Sequence, residues 1–181
     1  MKLLVFDTET TGLTLPSTAP LEKQPKVIEL GLVVLDGLEE IFSGNWLVNP
    51  GELISAEITK ITGITNDQLV GMPSFAEVWE EASGHFVQAD GVLAHNLPFD
   101  KSLVDFECRR ITEAPFLFWP SVQICSVQEY VHVFGRRPKL KDLYEQYTFK
   151  KLEQTHRALD DVRALVEAIR ASGLVTTLNQ E

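Results

Sequence analysis

The sequence predicts a mixed α/β fold, a sheet with helices on its faces. Two observations carry this. Three apolar runs rich in Val, Ile and Leu stand close together between Lys2 and Pro50, and amphipathic helical patterns then alternate with short apolar segments. A chain of 181 residues, 44% hydrophobic and 23% charged, is long enough to bury a sizeable core, so one domain over residues 1–181 is expected.

Each element has its own reason. "KLLVFD" is a short, Val- and Phe-bearing apolar run, the pattern of a buried strand. "KVIELGLVVLD" reads as a second strand and "EEIFSGNWLVNP" as a third, stopped by Asn49-Pro50. Asp36-Gly37 between the last two is a hairpin signal, so the three should form an antiparallel meander. "SAEITKITG" is a short helix closed by Gly63. In "SFAEVWEEASGHF" the residues Phe75, Val78, Trp79 and Ala82 recur at helical spacing, and Ser74 with Glu77 makes a capping box. "GVLA" is a short strand, and "PFDKSLVDFECRR" a helix with Pro98 in its first turn. A short strand near "PSVQI" follows. "SVQEYVHVF" and "LKDLYEQY" read as helices, and "HRALDDVRALVEAIRAS" as a long amphipathic helix stopped by Gly173. The stretch Thr14 to Lys26, with Pro16, Pro20 and Pro25, is long for a connection; it reads as a mobile flap or as a tolerated surface insertion.

No apolar run approaches the roughly 20 residues that span a bilayer, and the N-terminus lacks the basic start of a signal peptide. Cys108 and Cys125 give neither a disulfide framework nor metal-ligand spacing. A cytoplasmic protein without membrane contact is expected. The net charge of −10 opposes nonspecific nucleic-acid binding, which rests on Lys and Arg, but suits a site that gathers carboxylates to hold cations.

Asp7 and Glu9 stand two apart at the end of the first strand, so both side chains point to one face. Neighbouring carboxylates repel and raise each other's pKa unless cations intervene. Alone, Asp-x-Glu is also an ordinary polar strand end. In "VLAHNLPFD" a strand ends at His95-Asn96 and Asp100 falls in the first turn of a helix, where an acid also favours the helix dipole. In the last helix, phase decides between two acids. At 100° per residue, Ala158, Val162, Leu165 and Ile169 cluster within about 60° and face the core. Asp161 lies about 80° from the centre of that stripe and can look toward the sheet, whereas Asp160 lies about 180° away, in solvent. His156 is about 140° from Asp161 and cannot share its face, so it belongs at the helix start or just before it.

Four acids and a histidine thus stand in chain order: Asp7, Glu9, Asp100 and Asp161, with His156 beside the last. An oxygen-ligand cluster of this kind suits two divalent cations in phosphoryl chemistry, and a nearby imidazole can take a proton from water.

"FDTETTGL", "AHNLPFD" and "HRALDD" resemble, in order and context, the three motifs of the DEDDh exonucleases, the class of the polymerase III epsilon proofreading subunit. "ITKITGIT" is similar to the segment those proteins carry between the first two motifs. The resemblance runs from Lys2 to about Ala171. No Tyr lies within the four residues before Asp161, which argues against the sister class that has Tyr in place of His. The resemblance implies a ribonuclease H-like fold, a five-stranded sheet with three antiparallel strands and then parallel ones. It implies 3′→5′ exonuclease activity with two Mg²⁺ or Mn²⁺ ions. Carried over, Asp7, Glu9, Asp100 and Asp161 would hold the metal and His156 would be the general base. The terminal nucleotide would meet the turn Thr10, Thr11, Gly12 and Leu13, with Ile64, Asn96 and Phe99 beside the terminal bases; core packing is the alternative for Ile64 and Phe99. The implied partners are a single-stranded DNA or RNA 3′ end, DNA before RNA, and a DNA polymerase. Because the chain stops soon after the last helix, without the polymerase-binding tail epsilon-type proteins often carry, a free-standing enzyme or a different docking mode is expected.

"GRRPKLK" is the local excess of positive charge, through Arg136, Arg137, Lys139 and Lys141, and would either touch phosphates or form a solvated loop. Three other readings compete: an RNA 3′-exonuclease of the same class, a non-catalytic nucleic-acid or protein-binding module, and a Mg²⁺ phosphatase or nucleotidase.

Overall fold

The computed structural model describes residues 1–178 and 180. Strands β1 (Lys2–Thr10), β2 (Val27–Asp36) and β3 (Glu39–Leu47) form the antiparallel meander, with Gly37 at φ +58° in the turn between the last two. β4 (Gly91–Ala94) and β5 (Val122–Cys125) add in parallel, giving the order β3-β2-β1-β4-β5. This is the mixed five-stranded sheet expected from the resemblance.

Strand alternation divides the molecule into two layers. Leu4, Phe6, Leu30, Leu32 and Val34 point to one face, against helices α3 (Phe75–Gln88) and α4 (Leu97–Thr112). Leu3, Val5, Val33 and Leu35 point to the other, against α6 (Leu140–Thr148) and α7 (Ala158–Ala171). The helices start and stop where the local chemistry directs. Ser74 and Glu77 close the capping box at α3, and Gly63 at φ +71° ends α1 (Ala56–Thr62). α5 (Ser126–Phe134) follows β5 directly. Two short helices, α2 (Asn66–Leu69) and α8 (Leu174–Leu178), have no counterpart in the sequence pattern, because four or five residues are too few to show a helical period.

Two features place α7. Gly31 of β2 lies under its first turn, where a Cβ would come within 2.5 Å of the Leu159 nitrogen and 2.6 Å of the Ala158 carbonyl carbon. The helix therefore rests on the strand at a distance that only glycine permits. The helical phase also holds: Ala158, Val162, Leu165 and Ile169 are buried, Asp161 is buried beside them, and Asp160 is exposed.

The Thr14–Lys26 connection is tied down rather than free. It contains a single 3₁₀ turn at Leu21–Lys23. The buried Gln24 side chain accepts from the Leu15 N–H and donates to the Leu15 and Pro16 carbonyls, while Arg110 of α4 donates to the Leu21, Gln24 and Pro25 carbonyls. Among the described residues no helix is long and apolar enough to cross a membrane.

Candidate active site

β1 outruns its neighbour. Leu3, Leu4 and Val5 pair with Gly91, Val92 and Leu93, and β4 stops at Ala94. From Asp7 onward β1 has a free edge on that side, and the first turn of α4 fills the space. Asp100 reaches that edge: its Oδ1 accepts from the Thr8 N–H at 3.0 Å and from Thr8 Oγ1 at 2.8 Å. An acid early in a helix thus also caps an open-edge strand donor, which would otherwise be buried without a partner.

Asp7 and Glu9 point to the α7 face, opposite Gly31 and Glu29 of β2. Because Gly31 lets α7 come close, Asp161 in its first turn arrives beside them. A ring nitrogen of His156 and carboxylate oxygens of Glu9 and Asp161 lie within 4.8 Å of one another. His156 itself is exposed and sits before the helix, with φ at +52°, as the phase argument requires. Gln154 donates to Asp161 Oδ2 at 2.8 Å, and Thr155 Oγ1 donates to Asp160 at 2.9 Å.

Burial governs the electrostatics of this end of the sheet, and crowded negative charge adds to it at Asp7 and Glu9. Burial raises Asp7 well above the usual carboxylate range, and Asp100, Glu9 and Asp161 add to the effect. Glu9 is pushed up to about 8 by burial, then by Asp161, Glu29 and Asp100, with Arg157 opposing. Asp100 is pushed up to about 7 by burial, against the pull of the Thr8 hydrogen bonds. Burial also raises Asp161, with Gln154 and His156 pulling the other way. Four acids in one place, each reluctant to ionise, and offering hard oxygen donors, are the donor set that a hard divalent cation fits.

Glu29 behaves differently. It is fully buried, and burial pushes its pKa up. Hydrogen bonds from Arg157, the Ala158 N–H and Asn45 outweigh that and hold it below the ordinary value.

A groove of about 560 Å³ leads to the acids, lined by Glu9, Thr10, Thr11, Gly12, Leu13 and Phe99 on one side and by Ile58, Ile61 and Thr62 on the other. Its turn is pinned in place. Thr10 Oγ1 donates to the Gly12 carbonyl at 2.7 Å, and the Thr11 backbone N–H and side-chain Oγ1 both bond Lys26. Leu13 stands 83% exposed at the rim. Ile64 is not part of this groove. It is buried in a small cluster with Ile28, Ile54 and Leu69, while Ile58 and Ile61 of α1 present the apolar surface. The spacing "ITKITGIT" marks the right segment, but the left-handed turn at Gly63 rotates Ile64 inward. Asn96 sits at the start of α4, where its Oδ1 accepts from Arg137 at 3.0 Å. Of the other basic residues in that stretch, Arg136 pairs with Asp142 at 2.8 Å and Lys141 with Glu145 at 3.8 Å.

Sequence reasoning did not single out Thr8, Glu29, Gly31, Gln154, Arg157 or His95. A glutamate and a glycine inside the apolar run "VIELGLVVLD" were the visible anomalies. His95 is held neutral, its pKa pushed down to about 4 chiefly by burial, with Nδ1 2.8 Å from Ser126 Oγ. It joins the end of β4 to α5.

Comparison with known proteins identifies an exonuclease family. The RNase_T family model, described as an exonuclease, matches residues 4–169. The DNA polymerase III subunit epsilon of Treponema pallidum is 30% identical over 163 residues, covering 90% of this chain and 72% of that protein. The DNA polymerase III PolC-type of Clostridium perfringens is 30% identical over 169 residues, covering 93% of this chain but only 11% of that much longer one. Among solved structures, the nuclease domain of 3′hExo, a DEDDh family member bound to rAMP, superposes with a TM-score of 0.75 at 19% identity, covering 96% of this chain and 91% of that one. Exonuclease X in complex with 5′-overhanging duplex DNA gives 0.62 at 23% identity, covering 94% and 93%.

Proposed function

This chain belongs to the DEDDh class of 3′→5′ exonucleases, and from that premise we propose that it releases nucleoside monophosphates from single-stranded 3′ ends with two Mg²⁺ or Mn²⁺ ions, DNA before RNA. The observation that carries the reading is the convergence of Asp7, Glu9, Asp100 and Asp161 at one sheet end, where burial raises all four and the neighbouring acids raise Asp7 and Glu9 further. Those four would hold the ions, which when bound supply positive charge for a developing phosphate anion. The ions also ease the conflict between a net charge of −10 and a polyanionic substrate.

The chain's own residues do the rest. His156 accepts the proton of the water that attacks the terminal phosphodiester. Its placement off the helix leaves its ring within reach of Glu9 and Asp161 without filling a carboxylate position. The pinned turn Thr10–Leu13 receives the terminal nucleotide: Gly12 permits close approach, Leu13 wedges at the rim, and Phe99, with Ile58 and Ile61, offers apolar faces to the bases. Asn96, held by Arg137, stands beside the same end of β4.

The preference for DNA rests on the epsilon subunit, whose name assigns it to a DNA polymerase; the likeness to 3′hExo, at 19% identity, speaks for the fold alone. Docking to a polymerase and a cytoplasmic setting belong to the same proposal. The test is a degradation ladder on end-labelled single-stranded DNA and RNA with Mg²⁺, Mn²⁺ or EDTA. Stepwise shortening from the 3′ end, faster on DNA and absent in EDTA, is expected. Faster loss of RNA would move the assignment to an RNA 3′-exonuclease, and binding without shortening under any metal would leave a non-catalytic module.

A further inference from the structure

We propose that Arg157, anchored on the buried Glu29, is the positioning residue for His156, an inference that rests on His156 being the proton acceptor. Glu29 occupies the inner face of β2 directly across from Glu9. Two acids opposed on one sheet face repel each other, so a buried glutamate here needs a purpose that offsets the cost. Its contacts supply one. Both oxygens accept from Arg157 Nε, at 3.0 and 3.1 Å, and Oε1 also accepts from Arg157 Nη2 at 2.5 Å. The Ala158 N–H donates to Oε2 at 2.9 Å, and Asn45 Nδ2 donates to Oε1 at 3.0 Å.

His156 sits one residue before this fork, in a left-handed conformation that a non-glycine residue holds only when its surroundings impose it. The ties on its other side, Gln154 to Asp161 and Thr155 to Asp160, both return to the first turn of α7 itself. The Arg157 fork instead refers the segment to the sheet that carries Asp7 and Glu9. Arg157 therefore sets where the imidazole stands relative to the strand-borne acids. The start of α7 keeps its own attachments, the Ala158 N–H on Glu29 and the close seat on Gly31, so Asp161 should stay in place when the fork is lost.

The test is a double-mutant cycle with Arg157→Lys, which keeps a cation over Glu29 but loses the planar fork. Wild type, Arg157→Lys, His156→Ala and the double variant are compared by single-turnover rate on a single-stranded oligonucleotide, by KM and by Mn²⁺ affinity from calorimetry. Arg157→Lys should lower kcat by about 10–100-fold, the cost of misplacing a reacting group, with KM and Mn²⁺ affinity within about twofold of wild type. In the His156→Ala background the same change should cost nothing further. A melting curve checks that each variant folds. Losses that multiply in the double variant, a fall in Mn²⁺ affinity that tracks the rate, or a wild-type rate in Arg157→Lys would each overturn the inference. A wild-type rate in His156→Ala would instead remove the proton-acceptor reading on which it rests.

Discussion

The two halves of the site are built in opposite ways. Asp7 and Glu9 stand on β1, inside a sheet paired on at least one side, and Asp100 is buried against the free edge of the same strand. His156 stands on an irregular segment, residues 151–157, exposed and with a left-handed backbone. As proposed metal ligands the acids would need fixed mutual distances, because a cation cluster tolerates little change in its ligands, and a sheet holds such distances well. A group that moves a proton needs reach, and a loop supplies it, provided that side-chain ties replace the missing ladder. Asp161 bridges the two designs: it lies on α7, but its place depends on how α7 seats on Gly31.

That contrast can be broken at several points. The largest effect is expected from Asp161→Ala, which should lower hydrolysis by about 10³-fold or more because, on the proposed assignment, it removes a metal ligand as well as a charge. Calorimetry should show Mn²⁺ affinity falling with it; a variant that keeps both would remove Asp161 from the site. His156→Ala should lower kcat by about 10²–10⁴-fold, the range of a positioned general base, while metal binding survives. If metal and activity disappear together, the histidine is a ligand or a support, and the division between acids held by the sheet and a base held by a tied loop collapses.

A third variant tests the seat of α7. Gly31→Ala places a methyl group against backbone atoms that cannot rotate away, so the helix must lift or the strand must bend. Overpacking of this kind costs about 1–3 kcal/mol, read from urea unfolding, and activity should drop because Asp161 moves with the helix. Wild-type stability would show that the helix has slack at this point.

Metal removal and pH test the acid cluster without mutation. Glu9 rises from 4.5 to about 8 on folding, chiefly through burial. A carboxyl raised in this way favours the folded state when protonated, so its contribution is complete below about 4.5 and fades as pH rises toward about 8. In EDTA the melting temperature should fall across that window, and added Mg²⁺ should raise it more at the upper end than at the lower. A flat profile in EDTA would mean that Glu9 does not meet the burial and neighbouring charge that raise it. The smallest effect is reserved for Asp160→Ala, expected within about twofold of the wild-type rate, since that side chain faces solvent and accepts its hydrogen bond from Thr155. Equal losses in Asp160→Ala and Asp161→Ala would defeat the helical-phase argument.

What the sequence determined alone was whatever depends on near neighbours. The period of two placed Asp7 and Glu9 on one face, the 100° step separated Asp161 from Asp160 and kept His156 off the helix, and Ser74, Gly63 and Pro98 marked ends that the structure places at α3, α1 and α4. The chain order of the acids was legible for the same reason. Only the tertiary structure decided that Thr8 serves Asp100 across 92 positions, that Glu29 receives Arg157 across 128, and that Arg110 holds the Thr14–Lys26 connection down. It also turned Ile64 into the core and put Ile58 and Ile61 in the groove. The physical reason is that local periodicity records the direction in which a side chain leaves the backbone. It does not record which distant group meets that side chain, and a buried charge or a strand glycine acquires its meaning from that group.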